Sequence, residues 1–400
     1  MKLLLRGRIF PANGTEVILD GHILVAEGRI LSVGEGLPSI LDDTKVIDVG
    51  DKTILPGLID SHVHLAGLHS LEYDVPGDAY RFGADALAIA AGLRDILSGG
   101  ITTLRDCGHP HHATFAVREA IEAGLFQGPR LVLCGRVLAV SGGHGASLGI
   151  EADGVDEMRR AARVETKAGA DWLKLMVTGG TATPGELVTD VQMTAEEISA
   201  AVDEAHRRGR RVCAHVSNLA GARLAISAGV DSIEHGIVLD QGAVEELRDR
   251  STWLVPTLGC TQAEALAGPA DGVPDFVRLK AAAIFPDQCS SFRRALAAGV
   301  RIAAATDSGP SYLPIGINSL TEELQLMVEH GMLPVQALLS ATAHAAEMLG
   351  LSHETGMLST GLSADILVVD GDPLSDLGTL RRPWLVVSKG KIVSSHFQPN

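Results

Sequence analysis

The histidines are unevenly placed. Two stand as His62-Val63-His64, and single ones stand at His215 and His235. Neutral imidazole is both a metal ligand and a proton carrier near pH 7. Residues two apart in a strand point to the same side, so His62 and His64 can grip one ion. Taken alone, such a pair is explained as readily by packing. Lys174 sits in the otherwise apolar run Trp172–Val177. A buried, unpaired ammonium there would be costly, so the lysine must be paired, neutral or chemically modified. Carbamylation by carbon dioxide would turn it into an anion able to bridge two metals. Asp307 closes another apolar run, Arg301–Asp307. Imidazoles and carboxylates ending several runs in this way form a set suited to zinc, manganese or a similar divalent ion.

Such residues need strands to carry them. Short β-rich runs recur at Ile54–His64, Ile101–Asp106, Arg130–Cys134, Trp172–Val177, Arg211–Val216, Ser232–His235, Trp253–Thr257 and Arg301–Asp307. Amphipathic segments such as Ala84–Leu97, Thr194–Arg208, Leu219–Ala228 and Ser290–Ala298 lie between them. Thr194 followed by Glu197 reads as a capping box. Glycines at 99, 209, 229 and 299 read as helix ends. Alternation of this kind predicts an α/β fold, a (β/α)8 TIM barrel whose active site lies at the C-terminal strand ends. A doubly wound sheet would carry a dinucleotide glycine fingerprint after its first strand, and none is present.

Both chain ends are rich in short strands, as in Asp365–Asp370 and Trp384–Val387. We therefore expect a small composite β-sandwich domain from residues 1–55 and 353–400, with the barrel over 56–352.

Composition narrows the partners. The 400 residues carry a net charge of −16, with 46% apolar and 4% aromatic residues. Nucleic acid and anionic membranes need a basic footprint, so neither is an expected partner. No stretch is long and apolar enough for a membrane span, and the opening run of leucines breaks at Arg6. Five scattered cysteines without a C-x-x-C pair suit a reducing compartment, and we expect a cytoplasmic protein.

The order His62-x-His64, Lys174, His215, His235, Asp307 resembles the binuclear-metal pattern of the amidohydrolase superfamily. Leu55–His64 is similar to that family's first barrel strand, and Gly361–Val369 resembles its return into a composite β-sandwich. Ser141–Gly145 and Asp171–Gly180 look like the branch of prolidase-type dipeptidases and carboxypeptidases, near ochratoxin-type amide hydrolases and imidazolonepropionases.

The resemblance implies two divalent ions, zinc first among them. His62, His64 and Asp307 would hold one, and His215 and His235 the other. Carbamylated Lys174 and a hydroxide would bridge them. It implies hydrolysis of an amide or peptide C–N bond in a small molecule such as a dipeptide or N-acyl amino acid, with Asp307 as acid and base. It also implies a homo-oligomer. Cyclic-amide hydrolysis and deamination are the alternatives, and a metal-free scaffold protein is the remote one.

Loops supply the remaining candidates. His144, with Gly143, lies in the glycine-rich Ser141–Gly145 and is expected to be catalytic and to bind substrate. Thr178 follows the fourth strand and is expected in the pocket wall. Prolidase-like members carry a tyrosine two residues after the strand-five histidine, where it helps hold the substrate carboxylate. Here Ser217 stands there, with a shorter reach. His109, His111 and His112 cluster after the second strand and read as a solvated loop or substrate wall.

Overall fold

A computed structural model describes residues 2–14, 16–38, 42–67, 78–268, 270–309 and 314–395. In chain order its strands are β1 (Lys2–Ile9), β2 (Ile18–Ala26), β3 (Arg29–Glu35), β4 (Thr44–Pro56), β5 (Leu58–Val63), β6 (Ile101–Asp106), β7 (Arg130–Leu133), β8 (Val137–Ala139), β9 (Gly149–Glu151), β10 (Trp172–Met176), β11 (Arg211–Val216), β12 (Ser232–His235), β13 (Trp253–Val255), β14 (Ile366–Val369), β15 (Pro383–Ser388) and β16 (Lys391–Ser395).

The fold is α/β with parallel sheets. Strands β5, β6 and β7 pair in parallel, as do β10, β11, β12 and β13. Helices cover them, because parallel strands buried on both faces need apolar cover on each side. Alternation along each strand makes this visible. Leu131, Leu133, Val212, Ala214 and Leu254 join the main core with the helix residues Leu93, Ile198 and Ile226. Their neighbours Val132, Cys134, Cys213, Trp253 and Val255 collect in a separate cluster with Ile59 and Ala303.

The outer strands of these two groups meet other segments. The Asp171 amide donates to the Leu133 carbonyl. Residues 301–308, expected to be a strand, form no regular one. They make isolated parallel bridges, Leu254 with Ile302 and Val63 with Ser308. Backbone bonds run from the Leu254 amide to Arg301, from Ser61 to Ala304 and from Asp307 to His62. The sequence run is apolar enough for a strand, but only isolated bridges form, and the backbone turns left-handed at Asp307.

The strand-rich ends share one seven-stranded sheet of order β16-β15-β14-β4-β1-β2-β3. Strand β14 explains why its sequence is uniformly apolar. Leu367 and Val369 face the main core, whereas Ile366 and Val368 face a second one with Leu3, Leu5 and Ile54. Strand β4 crosses the expected boundary at residue 55 and pairs with β14 up to Pro56.

Helix boundaries follow the local signals. Thr194 caps Ala195–His206 in a complete capping box with Glu197. Gly229 closes Leu219–Ala228 in the left-handed conformation. No helix among the described residues is long and apolar enough to cross a membrane.

Candidate metal centre

Strand alternation carries Lys174, His215 and Glu234 to the face that also bears Trp172, Cys213 and Ser232. Lys174 lies beside Cys213 in the β10–β11 register, and His215 beside Glu234 in the β11–β12 register. His64 follows the end of β5. His62, His64 and His235 surround one carboxylate. Asp307 Oδ1 is 3.3 Å from His62 Nε2 and 3.5 Å from His64 Nε2, and Oδ2 is 3.8 Å from His235 Nδ1. The His215 ring is 4.7 Å from the His235 ring. Atoms of His62, His235 and Asp307 lie within 4.8 Å of one another, close enough for one ion.

Hydrogen bonds fix which nitrogens are free. His62 Nδ1 meets Glu234 Oε2 at 2.6 Å, and His64 Nδ1 meets the Gly108 carbonyl at 3.0 Å. An acceptor on Nδ1 keeps the proton there, so both rings turn a bare Nε2 toward Asp307. His215 does the opposite: its Nε2 meets the Gly179 carbonyl and the Ser217 hydroxyl. Burial holds His62, His215 and His235 well below the ordinary imidazole range and pushes His64 down to about 4. The rings are therefore neutral, as metal ligands must be. Burial pushes Asp307 up to about 7.

Three residues in this region hold left-handed backbone: His235 (φ 67°), Thr257 (φ 50°) and Asp307 (φ 54°). Such conformations cost on the order of 1 kcal/mol or more each and gather at functional sites. They turn the chain at the strand ends. Thr257 then meets His235 Nδ1 at 2.7 Å. Gly309 must be glycine, because a Cβ there would lie 1.9 Å from the His64 carbonyl oxygen.

Lys174 is 1% exposed, and its ammonium meets His62 Nε2 at 3.3 Å. Among the described residues no carboxylate lies within ion-pair distance of it. Four neutral imidazoles, a buried carboxylate and a buried lysine without a counter-charge fit a divalent metal centre. Carbamylation would convert that lysine from a misfit into a ligand.

Two residues that the sequence reading did not single out support the centre. Arg105 is fully buried and donates to both oxygens of Glu234 at 2.9 and 2.8 Å. Its guanidinium also lies over the Trp172 ring. The parity of β6 places Arg105 inward. Its partner across the strands was the missing information. Cys107, Cys134 and Cys213, scattered in sequence, come within 4.8 Å of one another beside this layer.

Above the centre a cavity of about 480 Å³ is lined by its ligands together with Gly143, His144, Ser217 and the helix Leu258–Leu266. His144 Nδ1 meets Glu186 at 2.9 Å. Burial works against the Glu186 charge, yet bonds from His144, Gln192 and the Gly180 amide hold it below the usual carboxylate range. A Cβ on Gly180 would enter the His144 ring. Thr178 does not line the cavity. It is buried behind it, and its hydroxyl accepts the Ser217 amide at 2.8 Å. His109, His111 and His112 do not join the centre either. His112 pairs with Glu165 at 2.8 Å, and His111 lies 3.8 Å from Asp85.

A model of the amidohydrolase family matches residues 53–393. The chain belongs to the amidohydrolase family. It is therefore a hydrolase acting on amide carbon–nitrogen bonds. It is 29% identical over 413 residues to ochratoxinase of Aspergillus niger, covering 96% of this chain and 83% of that protein. Imidazolonepropionase of Rhizobium rhizogenes is 27% identical over 417 residues, covering 92% and 91%. Among solved structures, an Xaa-Pro dipeptidase with methionine in its active site superposes with a TM-score of 0.87 at 30% identity, covering 98% and 99% of the two chains. Amidohydrolases typically bind divalent metals, and the groups found here include possible sites.

Proposed function

We propose that this amidohydrolase cleaves the C–N bond of a dipeptide or N-acyl amino acid at a centre of two divalent ions. The carrying observation is the convergence of His62, His64 and His235 on Asp307, with Lys174 against His62 and His215 adjoining, at one rim. The likeness to Xaa-Pro dipeptidase and ochratoxinase supports this substrate class.

In this reading His62, His64 and Asp307 would hold one ion, His215 and His235 would hold the other, and Lys174, once carbamylated, would add an anionic ligand. Such ions, zinc being our choice, supply Lewis acidity for the scissile carbonyl and acidify water at neutral pH. Asp307 takes the proton of the attacking water on its carboxylate and delivers it to the leaving nitrogen. Glu234 keeps the His62 Nδ1 proton in place. Glu186 orients His144, whose other nitrogen serves the substrate's oxygen. Ser217 and Gly143 form the adjoining wall.

The scaffold we propose is a closed (β/α)8 barrel over 56–352 with a β-sandwich from 1–55 and 353–400. Hydrogen bonds from residues 301–308 to both β13 and β5 support closure. A cytoplasmic homo-oligomer completes the proposal.

Elemental analysis of protein purified without chelator tests it, together with intact mass and a panel of dipeptides and N-acyl amino acids. We expect two metals per chain, added mass of one carbon dioxide on Lys174, and release of free amine. One metal or none after remetallation with bicarbonate overturns the binuclear reading. Turnover of cyclic amides alone would move the substrate toward that of the imidazolonepropionase relatives.

A further inference from the structure

The cavity wall is short of positive charge. Among the described residues Lys174 is the only lysine or arginine that lines it, and its ammonium meets His62 in the histidine centre. The segments outside the described residues contain neither residue type, so none can be added from them. Lys280, which contacts the segment 180–183 beside this wall, is already committed. Its ammonium donates to the carbonyls of Gly180, Thr181 and Thr183 at 3.3, 3.4 and 3.0 Å. A lysine has three N–H donors, and these contacts use all of them.

Against this wall stands Glu264, 8% exposed. It lies on the helix Leu258–Leu266, four residues after Cys260. Positions i and i+4 share a helix face about 6 Å apart. Cys260 and Asp307 line the same cavity, so Glu264 is presented to it one turn further along the helix. Glu264 itself lines the cavity. The helix is held from outside: Glu323 accepts the Gly259 amide at 2.6 Å. Thr181 is the polar neighbour of Glu264, and among the described residues no lysine or arginine pairs with Glu264. A buried carboxylate in that position lacks a cation. Nearby, Ile237, Ile284 and Met176 provide apolar wall.

We propose that Glu264 determines specificity, selecting amide substrates whose aliphatic stem ends in a protonated amine or guanidinium, as in derivatives of basic amino acids. This rests on the amide-hydrolase reading above. The aliphatic stem lies against the isoleucines, the cation pairs with Glu264, and a free carboxylate in the same place is repelled.

The test uses metal-loaded enzyme and three ligands that differ only at the end of the stem: N-acetyl-lysinamide, N-acetyl-norleucinamide and the 1-amide of N-acetyl-2-aminoadipic acid, which are cationic, neutral and anionic there. Calorimetry reads binding, and acetate release is followed separately. Wild type should bind the cation at least about tenfold more tightly than the neutral amide, and the anion least. In Glu264→Gln the gap between cation and neutral should collapse to about threefold or less. In Glu264→Lys the order should reverse. Equal binding of cation and neutral by wild type, tightest binding of the anion, a gap that survives in Glu264→Gln, or no binding of any ligand each overturns the proposal. The wild-type comparison decides even if a variant fails to fold. Correct binding order without hydrolysis of any substrate would sink the amide-hydrolase reading and leave the recognition by Glu264 standing.

Discussion

Two groups of histidines follow the strand ends, and their surroundings differ. His62, His64, His215 and His235 come from three separate strands, and three of them face one carboxylate, Asp307. His109, His111 and His112 are packed far more densely in sequence, yet among the described residues they converge on no common carboxylate. The His111 amide donates to His109 Nδ1 within their own loop. His112 belongs to Glu165, and His111 is nearest Asp85. Density along the chain therefore does not make a metal site. What sets the candidate centre apart is convergence on a shared anion, with the second nitrogen of His62 and of His64 tied to an acceptor.

The largest effect expected on this contrast is at the shared anion. Asp307→Asn should keep the fold by circular dichroism while kcat falls about 10³-fold or more, since it removes the proton carrier. Near-normal turnover would refute that role. Lys174→Ala comes next. Metal content should fall below two per chain and kcat by about 10²-fold, with partial rescue by added short carboxylic acids. Unchanged metal content would make Lys174 a structural cation only. Glu234→Gln tests the tie on the second nitrogen. It leaves Arg105 buried without its counter-charge, so Tm should drop by several degrees, and metal affinity should weaken about 10- to 100-fold. If affinity is unaltered, Glu234 serves packing and not His62.

The smallest effect belongs to the other histidine group. His112→Ala should leave metal content and kcat unchanged and cost about 1 kcal/mol of stability. Burial opposes the Glu165 charge, but His112 and Arg136 hold it below the usual carboxylate range. A depressed carboxylate stabilises the fold above its unfolded pKa and loses that contribution as pH falls through the folded value. Wild-type Tm should thus decline on acidification more steeply than that of the variant. Loss of bound metal in His112→Ala would erase the distinction between the two groups.

Much of the centre was legible because strand parity is local. His62 and His64, Lys174, His215, His235 and Asp307 each end or interrupt an apolar run; period-two alternation sends Lys174 and His215 inward, whereas His235 and Asp307 are turned by left-handed backbone. The capping box at Thr194 was legible for the same reason, since its bonds span three residues. The Arg105–Glu234 pair was not, because its members lie on different strands and meet only once registers are set. Thr178 was expected at the pocket wall but turns behind it to receive the Ser217 amide. Glu264 carried no motif at all, and only the placement of its helix beside Asp307 brings it into the cavity.

The sequence by itself determined the ligand types, the α/β alternation and the family, since these depend on residue identity and on spacing within single elements. The tertiary structure decided which nitrogen of each ring is free, which buried charges are paired, and which wall of the cavity lacks a cation. Those outcomes depend on contacts across strands and loops, where sheet register and left-handed turns at His235, Thr257 and Asp307 set directions that no local period encodes.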